Sequence, residues 1–101
     1  MSTLKITGEN FQKEVLNSEI PVVVDFYADW CGPCKMMSSL IDELANENEN
    51  IKVGKVNVDD NQELAVNYGI MSIPTIIIFK NGEIHKKFIG FTGKEDILKE
   101  I

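Results

Sequence analysis

Two cysteines two residues apart, set between an apolar run and a long amphipathic pattern, limit what this chain can become. Trp30-Cys31-Gly32-Pro33-Cys34-Lys35 follows the run Pro21 to Ala28 and opens the apolar stripe Cys34, Met37, Ile41, Leu44 and Ala45. These are the only two cysteines among 101 residues. Pro33 suits the first turn of a helix, where its missing N–H would be unpaired anyway, so the thiols fall at a strand-to-helix junction. Residues i and i+3 there lie about 5–6 Å apart, inside the window of about 4.4–6.8 Å that a disulfide tolerates. So small a loop removes little unfolded-state entropy, roughly 2 kcal/mol against about 4.7 for a 100-residue loop. Such a bond is a poor staple but can cycle readily, and the pair reads as a redox dithiol.

The flanking pattern supplies the frame. Thr3 to Thr7 reads as a short edge strand, and Thr7 offers an N-cap to a helix turning Phe11, Val15 and Leu16 inward. Val22-Val23-Val24-Asp25-Phe26-Tyr27-Ala28 is apolar on both faces apart from Asp25, as a central strand covered on both sides should be. The helix after the cysteines should reach about Asn48, with Ser38, Ser39, Asp42, Glu43 and Asn46 on its polar side. Ile51 to Val58 reads as a strand, and Asp60 with Glu63 as a capping box for a short helix ending before Gly69. Thr75 to Phe79 is a buried strand, and Asn81-Gly82 is a strong two-residue hairpin signal. His85, Lys86 and Lys87 then guard the exposed edge of a returning strand, Glu83 to Ile89. Thr92 with Glu95 caps a last helix through Leu98 and Ile101. The order β-α-β-α-β-α-β-β-α, in one domain spanning residues 1–101, is an α/β fold.

Composition excludes several partners. Hydrophobic residues make up 44% and charged ones 26%, the balance of an ordinary soluble globular protein. A net charge of −6 argues against generic binding to nucleic acid or to an anionic membrane. Met1 to Ile6 holds no apolar stretch of the length a signal peptide needs, and no span of about 18 apolar residues occurs. A cytoplasmic location is therefore expected, where thiols are kept reduced and a disulfide is transient rather than structural.

Chemistry concentrates at the cysteine turn. Unpaired N–H groups and the positive dipole end of the helix favour a thiolate there. Cys31, at the expected exposed lip, is assigned as nucleophile; Cys34, on the core stripe, is the resolving thiol. Zinc is the rival, but a structural site needs four ligands, and only His85 on a distant edge strand remains to join the thiols. No metal and no bound cofactor are expected. Glycines 54, 69, 82 and 90 form no phosphate-binding motif, so no nucleotide is expected either.

Asp25 interrupts a buried strand, where desolvation should raise its pKa. It can serve as a general base to a thiol that must lose its proton, or pair structurally with Lys55, which interrupts the neighbouring strand in the same way. Pro74 leads into a strand, a position that tolerates proline, and a trans peptide is the ordinary expectation there. Trp30, the sole tryptophan, reads as packing or as apolar contact to a substrate. Met36 and Met37 read as helix packing, and His85 as solvated.

These residues carry a resemblance over essentially the whole chain. Val24-Asp25-Phe26, Ala28-Asp29-Trp30-Cys31-Gly32-Pro33-Cys34-Lys35-Met36, Lys55-Val56-Asn57-Val58-Asp59, Tyr68-Gly69-Ile70, Ile73-Pro74-Thr75, Phe79-Lys80-Asn81-Gly82 and Gly90 resemble the thioredoxin family. The resemblance implies a thioredoxin fold, a five-stranded mixed β-sheet flanked by four α-helices. It implies Cys31 as attacking thiolate, Cys34 as resolving thiol, and Asp25 as the buried carboxyl assisting Cys34, with Lys55 as its partner. It also implies a cis Pro74 and a flat docking surface formed by Trp30, Gly32, Pro33, Ile73, Pro74 and Gly90. A monomeric protein-disulfide reductase, acting on protein disulfides and restored by thioredoxin reductase, is the expected function. The alternatives are a disulfide oxidase or isomerase, and a binding module that uses the same apolar surface without cycling its thiols. Two departures from the common pattern stand out: Ser39 replaces a helix-kinking proline, and Tyr27 a second tryptophan.

Overall fold

In a computed structural model, residues 3–101 are described; the first two residues of the expected 1–101 domain lie outside them. The central apolar run forms β2 (Val22–Tyr27), flanked by β3 (Lys52–Asn57) and β4 (Thr75–Lys80). β1 (Leu4–Lys5) and β5 (Glu83–Ile89) form the edges, giving the order β1-β3-β2-β4-β5. β1 and β2 run parallel to β3, while β4 runs antiparallel to β2 and β5, so the sheet is mixed. Three α-helices, α1 (Gly32–Glu47), α2 (Gln62–Asn67) and α3 (Lys94–Leu98), and a π-helical segment at Gln12–Leu16 flank it.

Alternation along the strands sends successive side chains to opposite faces, and each face meets its own cluster. Val22, Val24 and Phe26 of β2 pack with Phe11, Val15, Val56, Leu64, Ile77 and Phe79. Val23 packs on the other face with Met37, Ile41 and Leu44 of α1, Ile76 and Ile78 of β4, and Ile97 of α3. Asp25, two residues beyond Val23, therefore lies on the α1 face. Each fully buried aliphatic side chain contributes about 1.5–3 kcal/mol, so these clusters outweigh any single cap. The rings of Phe11, Tyr68 and Phe79 meet with centroids 5.1–5.6 Å apart, fixing the π-helical segment and the end of α2 to β4.

Two expected caps are not used. Asn61, not Asp60, precedes α2, and its amide is committed elsewhere: it accepts from the Gly8 N–H at 3.0 Å and donates to the Asn57 carbonyl at 3.0 Å. Gly93 precedes α3, because Thr92 turns its hydroxyl back to the Gly90 carbonyl at 3.2 Å. Thr7 caps only the preceding turn, accepting from the Asn10 N–H at 3.3 Å while its own N–H donates to the Asn10 side chain at 2.7 Å; the π-helical segment itself starts after Phe11 with no side-chain cap. On the far edge, an irregularity in the β4–β5 register near His85 bends a strand already guarded by lysines.

Both hairpin residues between β4 and β5 have positive φ, 56° at Asn81 and 80° at Gly82, as a type I′ turn requires. A Cβ on Gly82 would also lie 2.8 Å from the Leu16 carbonyl oxygen, which is backbone and cannot swing aside. Gly82→Ala should therefore cost about 1–3 kcal/mol of stability. Gly8→Ala, whose Cβ meets nothing within 4 Å, should stay within about 0.5 kcal/mol of the parent. Chemical denaturation of both variants checks the pair, and equal stabilities would contradict the steric account.

Candidate active site

The cysteines sit where β2 has ended and α1 begins. Cys31 is the N-cap residue of α1, with extended backbone, and its Sγ accepts the Cys34 N–H at 3.2 Å. The two are joined as a disulfide with Cα atoms 5.2 Å apart, as the spacing of the motif requires. Exposure does not separate them: Cys31 is 5% exposed and Cys34 2%. The expectation of an exposed Cys31 is therefore corrected. Tyr27, Ala28, Val58 and Ile73 pack around the pair, and the Ile73 carbonyl oxygen lies 3.8 Å from Cys31 Sγ. What differs is electrostatic, since Cys31 Sγ occupies the acceptor position at the helix start while Cys34 lies on the buried stripe.

The wall opposite α1 comes from the approach to β4. The Ile73–Pro74 peptide is cis, so the trans expectation drawn from the residues alone is corrected and the one drawn from resemblance holds. The Pro74 carbonyl accepts the Gly90 N–H at 2.8 Å, and Gly90 has a φ of 91° that disfavours other residues. Gly32 and Pro33 are exposed, Ile73 and Gly90 are partly buried, and Pro74 is buried. Trp30 is 71% exposed although its Nε1 donates to Asp59 Oδ2 at 2.8 Å, which holds the ring in place with its apolar surface to solvent. Met36 is exposed, not packed, because it lies one residue before the buried Met37 and so about 100° around the helix. Met71 and Phe91, chain neighbours of this wall, are exposed large apolar residues that the sequence reading passed over. A bulky apolar side chain just outside a strand's apolar run was the available signal.

Asp25 is fully buried, and neither of its carboxyl oxygens has a hydrogen-bond partner among the described residues. Burial pushes its pKa from 3.8 up to about 7; the nearby Lys55 charge opposes the rise and Asp42 adds to it. Lys55 is its register partner across β2 and β3. The expected ion pair between them is nevertheless not formed. The Lys55 ammonium lies 2.9 Å from Asp42 Oδ1 and donates to the Ser38 hydroxyl, both on α1. Residues four apart share one helix face, so Ser38 and Asp42 form a single acceptor surface above Lys55. On the residues alone both belong simply to the polar side of α1. His85, the third candidate metal ligand, lies 3.4 Å from Glu100 Oε1 on the edge strand β5. No group of three or more metal-ligating side chains gathers among the described residues.

The raised Asp25 pKa ties stability to pH. Between pH 4 and 7 the unfolded chain releases the Asp25 proton while the folded chain keeps it, so stability falls as pH rises through that window and levels off above it. The interval from 3.8 to about 7 bounds the loss at roughly 4 kcal/mol, at 1.36 kcal/mol per pH unit. Asp25→Asn is expected to remove most of this loss, so the variant gains stability over the parent at pH 8 but little at pH 4. Denaturant titrations across that range check it; parallel profiles would contradict the burial account.

Known proteins align with this arrangement. A family model described as thioredoxin matches residues 2–101. A thioredoxin from Pyropia yezoensis is 50% identical over 98 residues, covering 96% of this chain and 92% of that protein. One from Rickettsia felis is 50% identical over 94 residues, covering 92% and 90%. One from Mycobacterium tuberculosis (strain ATCC 25618 / H37Rv) is 45% identical over 101 residues, covering 99% and 87%. Similarity at this level over nearly the full length, joined to a cysteine pair bonded across the first turn of a helix, places the chain in the thioredoxin family as a thiol–disulfide reductase.

Proposed function

We propose that the chain reduces protein disulfides as a single-domain, monomeric electron carrier in the cytoplasm, and that a thioredoxin reductase restores it. The observation that carries the division of labour is the Cys34 N–H donated to Cys31 Sγ at the helix N-terminus. The same donor and dipole would stabilise a Cys31 thiolate, lowering its pKa below the ordinary value near 8.5. In the reduced protein, Cys31 Sγ attacks one sulfur of the substrate disulfide, and the other substrate sulfur leaves as a thiolate. A mixed disulfide results. Asp25, as carboxylate, takes the Cys34 proton directly or through water. Cys34 Sγ then attacks Cys31 Sγ, the second substrate sulfur leaves, and two electrons have passed from the protein to the substrate. A pKa near 7 suits this role, because a general base works best when poised near the operating pH.

The docking face in this reading is formed by Trp30, Gly32, Pro33, Ile73, Pro74 and Gly90. An extended substrate segment would hydrogen-bond to backbone beside Pro74. The chemistry uses only the protein's own thiols and carboxyl, with no bound cofactor.

Two measurements test the reading. Cys34→Ser should accumulate a mixed disulfide with a protein substrate that dithiothreitol releases, whereas Cys31→Ser should form none; the reverse pattern would exchange the two roles. The equilibrium potential against glutathione should fall near the about −270 mV typical of thioredoxins, a family value and not one derived from this geometry. A value near about −120 mV would mark an oxidant instead.

A further inference from the structure

Asp25 and Lys55 are partners in register across β2 and β3, the placement that would let a carboxylate meet an ammonium. They do not meet. Lys55, mostly buried, reaches the Ser38 hydroxyl and lies 2.9 Å from Asp42 Oδ1, while Asp42, half exposed, also accepts from the Thr3 hydroxyl at 3.5 Å. Among the described residues, Asp25 is left with both oxygens unpartnered in the interior. A buried carboxyl without a partner is costly, and its register neighbour carries the charge that would relieve that cost. Another pair of acceptors, one turn apart on α1, has engaged this charge instead.

We propose that Ser38 and Asp42 are positioning residues: they hold the Lys55 ammonium against α1 and so keep from Asp25 the direct ion pair its register partner would otherwise form. The groups whose charge reaches Asp25 are Lys55 on β3 and Asp42 on α1. From β4 the register neighbour is the apolar Ile76. Burial raises the proton affinity of Asp25 most, and with no other cation in that set the location of one ammonium sets how far that rise is opposed. Its catalytic consequence rests on the reading of Asp25 as acceptor of the Cys34 proton: a carboxylate paired to an ammonium would be a weaker base. In the resolving step the proton leaves Cys34 Sγ for an Asp25 oxygen, and Ser38 and Asp42 touch neither.

The test is a titration of the Asp25 side-chain carboxyl by carbon-13 NMR in the reduced, full-length protein, with Lys55 intact and after Lys55→Met. Ser38→Ala changes no charge and raises helix propensity, so loss of folding does not confound it. With Lys55 present, Ser38→Ala should lower the Asp25 midpoint. Ser38→Ala combined with Asp42→Asn should lower it further, and by more with Lys55 present than after Lys55→Met, because loss of the Asp42 charge lowers it in both backgrounds while only the first gains an opposite charge within about 4–6 Å. After Lys55→Met, Ser38→Ala should leave the midpoint unchanged. No movement with Lys55 present, or equal movement in both backgrounds, would overturn the proposal. The pH profile of mixed-disulfide resolution should shift with the midpoint in Ser38→Ala. A midpoint that moves while the profile stays still would sustain the positioning role and remove Asp25 as the proton acceptor.

Discussion

One hydrogen bond joins the fold to its chemistry: the Cys34 N–H donated to the Cys31 sulfur. The first N–H groups of a helix have no partner within it, and most helices meet that need with a serine, threonine, aspartate or asparagine. Here a sulfur fills the cap, so the group that satisfies α1 belongs to the redox-active cysteine pair. The requirement extends outward. β2 must deliver Cys31 to the start of α1, α1 must pack through Met37, Ile41 and Leu44, and the segment before β4 must close over the pair with Ile73. A helix displaced by an ångström would lose both its cap and its thiolate donor.

A second constraint comes from the sheet. A central strand covered on both faces has no tolerance for a charge, yet β2 carries Asp25. Among the described residues the fold gives this carboxyl no hydrogen-bond partner, and its proton is tightly held, at a cost in stability that grows toward neutral pH. Such cost is familiar at functional sites, where local rules are broken for the sake of the reaction. The charge that could cancel it is close by, fixed to α1 by Ser38 and Asp42.

Much of this was legible in the residues, and what was not has physical causes. The β2 run, the α1 stripe and the Asn81-Gly82 turn are local patterns, and each was placed within a residue or two of its observed limits. The cover over Cys31 is not local. It depends on Ile73, 42 residues along the chain, so no spacing rule near the motif announces it. Lys55 failed in a similar way. Polar residues on a helix face look like solvent contacts until the helix is known to lie across a half-buried lysine. The caps of α2 and α3 slipped because Asn61 and Thr92 each spend their side chains on neighbouring turns. The cis Pro74 came from family resemblance, since the residues alone favoured trans.

With the cysteines almost equally buried, the unequal roles proposed for them rest on electrostatics at the helix start and not on access. Timed alkylation of the reduced protein across pH, with peptide mapping of each cysteine, tests that most directly. The account expects Cys31 to be modified first, with a midpoint below the ordinary thiol value near 8.5, and Cys34 to stay protected until Cys31 has reacted. Equal labelling, or a Cys31 midpoint at or above about 8.5, would contradict it.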